Sequence, residues 1–290
     1  VSDGLTDGFA AGRTCAVAGQ GQRQMRDWAA DHPGLYGAEA FDPALFSTLA
    51  LAAAFSGPGL SADDLRLANR TCLWCFGLDW LIDYAAKTRA EVDAVTGRCA
   101  VVADGGPPVP GDDLTRFLHD VRAELAAQPA FAELGGVWRE EFQAVLDSMA
   151  LEWDWNAARG RGEPGPTFDE YLSNADNLGF TFVLVAHWIA RGGGGDVAKV
   201  RAASAAVQRV IRLLNDLGTY RRDLKWGDLN GLLLDLSREQ VEERLAGLTA
   251  RAREAIGAMR DGNPELAGYM ERQMDFCAGF YGVTDFWGAP

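Results

Sequence analysis

Two stretches of the chain place oxygen-bearing side chains at helical spacing. The first is Phe76-Gly-Leu-Asp79-Trp-Leu-Ile-Asp83, with two acids four residues apart. On a helix that spacing puts Asp79 and Asp83 on one face, one turn apart. Their neighbours Trp74, Phe76, Trp80, Leu81 and Ile82 are apolar. Carboxylates in such a setting repel one another and lose hydration, so they call for a cation or a basic partner. With 41 acids in 290 residues, about six pairs at this spacing arise by chance. Taken alone, the pair reads more simply as a solvated helix face.

The second stretch, Arg212-Leu-Leu-Asn215-Asp216-Leu-Gly-Thr219-Tyr-Arg-Arg222-Asp223, is more specific. Asn215, Thr219 and Asp223 fall at i, i+4 and i+8, so a carbonyl oxygen, a hydroxyl and a carboxylate line one helix edge. Three oxygens of mixed charge form a half-shell for a hard cation such as Mg²⁺. Arg222 adjoins that edge and Arg212 lies one turn before it. Such a pattern arises by chance with a probability of roughly one in a hundred at this composition.

The elements that must position these residues read as helices. Windows rich in Ala, Leu, Arg and Glu repeat apolar residues at three and four, and period-two alternation is scarce. Gly and Pro gather at 56–59, 104–111, 159–166 and 191–195. Between them the pattern predicts helices over 43–55, 61–96, 112–127, 130–158, 167–190, 196–226, 237–261 and 264–284. Ser61-Ala-Asp-Asp64 and Thr167-Phe-Asp-Glu170 have the capping-box pattern that opens a helix. Linkers are short and nothing repeats. One all-α domain over 1–290 is expected, with 1–40 as a peripheral N-terminal segment.

Composition excludes several functions. Twenty-seven basic residues against 41 acidic ones give a net charge of −14 with no basic cluster, which argues against nucleic acid as a partner. A hydrophobic share of 48% is too high for a disordered acidic chain. No apolar run approaches ~18 residues, so no membrane span is expected. The N-terminus lacks a signal-peptide pattern, and a start at Val1 reads as trimmed. Cys15, Cys72, Cys75, Cys99 and Cys277 form no disulfide framework, and reduced thiols suit a cytoplasmic protein. Cys72-Leu-Trp-Cys75 reads as two small buried hydrophobes on one helix. His32, His119 and His187 share no ligand spacing, and His187 reads as a core histidine. The glycine run after Arg191 lacks the Lys-Ser/Thr of a phosphate loop and reads as a flexible connection.

Together the two oxygen-rich stretches resemble the class I terpene synthases, all-α enzymes whose two metal motifs face each other across the mouth of a helical barrel. Asp79 and Asp83 match the first and last acids of the family's aspartate-rich motif. Asn215, Thr219 and Asp223 match its second motif, and Arg222 the basic residue that contacts diphosphate. The resemblance runs from about residue 40 to the C-terminus. It implies a prenyl diphosphate held by about three Mg²⁺ ions, with Mn²⁺ as a substitute. Asp79, Asp83 and Asn215 become the expected catalytic residues, and Asp79, Asp83, Asn215, Thr219 and Asp223 the metal ligands. Arg222 and Arg212 are expected on the diphosphate. Phe76, Trp80, Phe180 and Tyr281 are expected to line the substrate pocket, with Trp74, Phe182, Trp188 and Phe280 as further candidates. Any one of these aromatics reads more readily as core. Glu152 falls on a helix that lines the cavity in the family, with packing as its simpler role, and no dedicated base is assignable.

Three departures carry information. Trp80 replaces the second acid of the common DDxxD form, Ala175 stands where many bacterial sesquiterpene cyclases have a sensor Arg, and Phe286-Trp287 replaces their C-terminal Arg-Tyr pair. Pro166-Thr-Phe-Asp-Glu170-Tyr171-Leu-Ser-Asn174 and Arg212-Leu-Leu-Asn215-Asp216 resemble segments of kaurene-synthase-type diterpene synthases. That branch implies a labdane-type substrate such as copalyl diphosphate, supplied by a separate class II diterpene cyclase. Two alternatives stay open: a cyclase of linear farnesyl or geranylgeranyl diphosphate, and a non-catalytic helical protein that binds a hydrophobic ligand. Helical domains of this kind commonly form homodimers.

Overall fold

Apolar residues at three- and four-residue spacing fold into helices throughout, and no strand occurs among the described residues. The structure, a computed structural model, describes residues 3–288, with side chains from residue 8 onward, so Val1 lies outside it. The order begins α1 (Asp3–Asp31), α2 (Pro33–Tyr36), α3 (Pro43–Ser56), α4 (Arg66–Asp79) and a π-helical turn (Trp80–Ala85). There follow α5 (Arg89–Ala103), α6 (Asp113–Ala126), α7 (Phe131–Gly160), α8 (Phe168–Ser173) and a 3₁₀ turn (Ala175–Leu178). The last part holds α9 (Phe180–Ala190), α10 (Val197–Trp226), a second 3₁₀ turn (Gly231–Leu233), α11 (Arg238–Met259) and α12 (Pro264–Tyr281).

The helix pattern departs from expectation in three places. Residues 3–31 form a helix where none was expected, because Gly4, Gly8, Gly12, Gly19 and Gly21 depress helix propensity and mask the pattern. This helix covers most of the segment expected to be peripheral, yet it buries Met25 and Trp28 and packs along α3. The single helix expected over 61–96 is three elements. The Ser61–Asp64 bonds form, but they close a turn ahead of α4, and a separate capping box of Thr88 and Glu91 opens α5. The helix expected over 167–190 is also broken, at the 3₁₀ turn and at Gly179.

Helices α3, α4, α7, α9, α10 and α12 wall a central cavity. Outside them, α1 packs on α3, α5 on α7, α6 on α4 and α11 on α10. Helix α9 is apolar on every side, as a central helix must be, and buries eight of its eleven residues. Trp74, Trp138, Phe142 and Phe182 stack beside it with centroids 5.4–6.1 Å apart. The Trp74 indole donates to the Leu114 carbonyl at 3.0 Å and the Trp188 indole to the Gly194 carbonyl at 2.9 Å. That second bond pins the glycine run, whose four residues all adopt positive φ, so it is a set turn and not the loose connection expected.

His187 is a core residue, as its sequence context suggests. It stacks on Tyr269 with ring centroids 4.4 Å apart, and its Nδ1 has no partner among the described residues. Burial pushes its pKa down to about 4. The unfolded imidazole titrates near 6.5, so the full stability is present above that value and is lost as pH falls toward 4. His187→Phe keeps a ring on Tyr269 and removes the titration. The stability lost between pH 7.5 and pH 5 should therefore shrink by about 2 kcal/mol in the variant, read from urea unfolding at the two pH values.

Candidate active site

The first acidic face lies where α4 changes its winding. Asn69, Cys72, Phe76 and Asp79 form one stripe of α4 that faces the cavity. After Asp79 the chain widens into the π turn, closed by the Ala86 amide donating to the Leu81 carbonyl at 2.9 Å. Asp83 stays on the side of Asp79, and the two carboxyls hydrogen-bond to each other. Asp83 opens onto the mouth of the cavity, while Asp79 sits deeper. Both are pushed above the usual carboxylate range, Asp79 to about 7. Loss of hydration among the surrounding protein atoms is the main cause, with Asp228 and Glu152 adding repulsion and Arg222 opposing it at Asp79.

The second face is carried by α10. Its start is set by Asp196, whose carboxylate accepts the Ala198 and Lys199 amides at 2.9 and 3.2 Å. Asn215 and Asp223 open to the cavity, and Thr219 lies buried between them. The Thr219 hydroxyl donates to Asp223 Oδ2 at 2.5 Å. Asn230 Nδ2 donates to the same oxygen at 2.8 Å and to the Asp216 carbonyl at 2.9 Å. Asp223 Oδ1 accepts both Nε and Nη2 of Arg222, at 3.1 and 3.0 Å. The Tyr281 hydroxyl hydrogen-bonds to Asn215. Gly227 ends the helix in the left-handed region and turns Asp228 back over its end, where the Tyr84 hydroxyl donates to Asp228 at 3.1 Å.

Deeper in, Arg212 stands apart from the contact expected of it. Its Nη2 donates to both oxygens of Glu152 at 3.0 Å, and its Nε donates to the Tyr171 hydroxyl at 2.7 Å. Tyr171 in turn donates to Asp216 at 2.7 Å. Burial pushes Asp216 up to about 7, against the pull of Arg212 and the Tyr171 bond. These contacts occupy Arg212 with protein carboxylates and not with the open cavity. They also tie the Pro166–Asn174 segment to the Arg212–Asp216 segment. Glu152, read from sequence as packing, faces the cavity and also accepts from Asn177 at 2.5 Å. Ala175 is buried.

Of the aromatics expected to line the pocket, Phe76, Phe180 and Tyr281 do so, joined by Tyr84, Tyr269, Phe286 and Trp287. Trp80 does not. One residue past Asp79, its side chain is carried about 100° around the helix and packs on Phe41, Tyr84 and Trp287. Phe280, one residue before Tyr281, likewise turns away and stacks on Phe276 and Phe286. Trp74, Phe182 and Trp188 belong to the core described above. Cys72 and Cys75 face the cavity as free thiols, and burial pushes Cys72 up to about 12, so neither is poised as a nucleophile.

Among the described residues, six carboxylates and two guanidinium groups line the cavity beside amides and apolar side chains such as Leu49, Phe76, Phe180 and Val183. That excess of oxygen donors over cations suits hard metal ions. No three acidic, histidine or cysteine side chains among the described residues are already close enough to hold an ion together. A ligand bringing its own oxygens would complete such a shell. The sequence missed Asp228, Asn230 and Tyr84 here. The one available signal was Asp228, placed one residue after a glycine helix stop.

Residues 70–246 match the family described as Terpene synthase family 2, C-terminal metal binding. A curated relative, the Ent-pimara-9(11),15-diene synthase of Streptomyces sp. (strain KO-3988), is 27% identical over 273 residues, which cover 91% of this chain and 90% of that protein. The solved 2-methylisoborneol synthase of Streptomyces coelicolor A3(2), in complex with Mg²⁺ and geranyl-S-thiolodiphosphate, superposes with a TM-score of 0.73 at 16% identity, over 94% of this chain and 93% of that one. The linalool/nerolidol synthase of Streptomyces clavuligerus, in complex with 2-fluorogeranyl diphosphate, does so with a TM-score of 0.68 at 17% identity, over 91% and 97%. Both structures share the all-α fold. No helix among the described residues is long and apolar enough to cross a membrane.

Proposed function

The chain belongs to terpene synthase family 2, a metal-binding class I family, and from that premise we propose that it is a Mg²⁺-dependent diterpene synthase acting on a labdane-type diphosphate such as copalyl diphosphate. The observation that carries this reading is the meeting of the Asp79/Asp83 face and the Asn215/Asp223 face at one end of an aromatic cavity. Asp79 and Asp83 would hold metal from one side, and Asn215 and Asp223 from the other; Thr219, expected as a ligand, is buried off the cavity and donates to Asp223. Mg²⁺ there would neutralise the diphosphate and make it a better leaving group. Arg222, at the same end, would bind a diphosphate oxygen as the carbon–oxygen bond breaks and the electron pair leaves with the diphosphate. The Tyr281 hydroxyl, beside Asn215, would help to orient it. Phe76, Phe180, Phe286 and Trp287 would keep water from the allylic cation and turn ring faces toward it. Ring closure or rearrangement, then proton loss to the released diphosphate or a bound water, would give a diterpene hydrocarbon.

The diterpene assignment is supported by a relative that is a diterpene synthase by name and is similar along nearly the whole chain. The bicyclic substrate rests on the resemblance of the Pro166–Asn174 and Arg212–Asp216 segments to kaurene-synthase-type diterpene synthases. A separate class II cyclase would then supply the substrate. Copalyl, geranylgeranyl and farnesyl diphosphates, offered side by side with Mg²⁺ and followed by product analysis, test the reading. Copalyl diphosphate should be turned over at least about tenfold more efficiently than the linear substrates. Preference for a linear diphosphate would replace the labdane reading with a cyclase of that substrate, and no turnover of any of the three would leave a ligand-binding role.

A further inference from the structure

Asp285 lies just past α12, on the segment that carries Phe286 and Trp287 into the cavity. Its side chain is 5% exposed and meets one cation, with Oδ1 3.1 Å from Nη1 of Arg222. The contact is an ion pair without the alignment of a hydrogen bond. A carboxylate buried with so little compensation is costly to keep. Arg222 is shared between two acids: Nη1 meets Asp285, while the edge formed by Nε and Nη2 lies on Asp223 Oδ1.

That sharing matters because Asp223 has no oxygen to spare. Oδ1 takes both Arg222 donors, and Oδ2 takes Thr219 and Asn230. A metal can reach Asp223 only by displacing one of these. Asn230 is fully buried and also tied to the Asp216 carbonyl, and Thr219 is buried within α10. Of the three donor residues, Arg222 is the one that lines the cavity. Its Nε–Nη2 edge is the flat, two-pronged face of a guanidinium that fits a phosphate group. With Arg212 committed to Glu152, and Phe286-Trp287 carrying no charge, Arg222 is the cation left for the diphosphate among the described residues that line the cavity.

We propose that Asp285 is a positioning residue that holds Arg222 through Nη1 at the mouth of the cavity while the Nε–Nη2 edge exchanges Asp223 for the diphosphate of the substrate. The inference rests on the reading of Asp223 as a metal ligand and Arg222 as a diphosphate contact. The close seat of the C-terminal segment is built into α10. A Cβ at Gly218 would stand 2.7 Å from the Tyr281 carbonyl oxygen, so glycine is what lets the segment lie against the helix beside Arg222.

Calorimetric titration of inorganic pyrophosphate into the protein at saturating Mg²⁺ tests the inference, alongside KM and kcat for the substrate. Asp285→Asn, which keeps the shape, is expected to weaken pyrophosphate binding about tenfold and to raise KM in step. Asp285→Glu should recover most of the loss. A merely local negative charge predicts the reverse sign, because removing an acid near an anion site tightens binding. Wild-type or tighter affinity in D285N would therefore overturn the inference. The same change on an Arg222→Gln background should have no further effect, and a persisting tenfold loss there would also overturn it. Should D285N fold poorly, D285S, which also removes the carboxylate, takes its place in both comparisons. If the wild-type protein takes up no pyrophosphate with Mg²⁺, the reading of the whole site falls and takes this inference with it.

Discussion

Asn215→Ala and Asp79→Ala are each expected to lower kcat by at least about 1,000-fold, with the helical fold retained. The two substitutions strike opposite faces of the cavity mouth. Asn215 would supply a neutral oxygen of the α10 set and lies beside the Tyr281 hydroxyl. Its backbone carbonyl, which accepts from Thr219 at 2.9 Å, is unchanged by the substitution. Alanine also favours the middle of a helix. Asp79 faces repulsion from Asp228 and Glu152, and the cation that attracts it, Arg222, keeps Asp223 and Asp285, so removal of Asp79 leaves no basic partner stranded. The expected pattern is loss of diphosphate release in a product assay, with circular dichroism and melting temperature close to wild type. Substantial turnover in both variants would remove the metal-binding role of the two faces.

Arg212→Met is expected to act on stability first, at a cost of about 3–5 kcal/mol in urea unfolding. Arg212 is 4% exposed in its side chain and sits 3.0 Å from Glu152 and 3.7 Å from Asp216. Removing the guanidinium leaves two buried carboxylates without their cation, a larger penalty than the pair itself contributes. Glu152→Met on the same background should restore part of the loss, because it removes one stranded charge. A diphosphate-binding Arg212 would behave differently, raising KM with stability unchanged. The two roles expected for arginine in this site therefore separate in one unfolding experiment.

These contrasts mark where periodicity is a sound guide and where it is not. Asn215, Thr219 and Asp223 share an edge of α10 because a regular helix must put i, i+4 and i+8 together, whatever surrounds it. The same logic places Asp79 and Asp83 together even though the helix changes to a π turn between them. Trp80 shows the limit. The family resemblance put it among the pocket aromatics, but one residue past Asp79 is about 100° of rotation, and the ring points into a cluster with Phe41 and Trp287. Arg212 shows another limit. Its spacing from Asn215 was visible, but its partner Glu152 lies 60 residues away on α7. Helix α1 was hidden for a different reason, since five glycines weaken the local signal that its burial against α3 later overrides.

By itself, the sequence determined the all-α class, the two oxygen-rich helix faces and the resemblance to the terpene synthases, because each depends on spacing within a single helix. Tertiary structure alone decided which charges those faces meet. It paired Arg212 with Glu152 and Tyr171, brought Asp228 and Asn230 to the end of α10, and set Asp285 on Arg222. Charge interactions act across space between helices that are far apart in the chain, so no local pattern records them. The same holds for the choice between core and cavity for Trp74, Phe182 and Phe76, which depends on which helix stands opposite each ring.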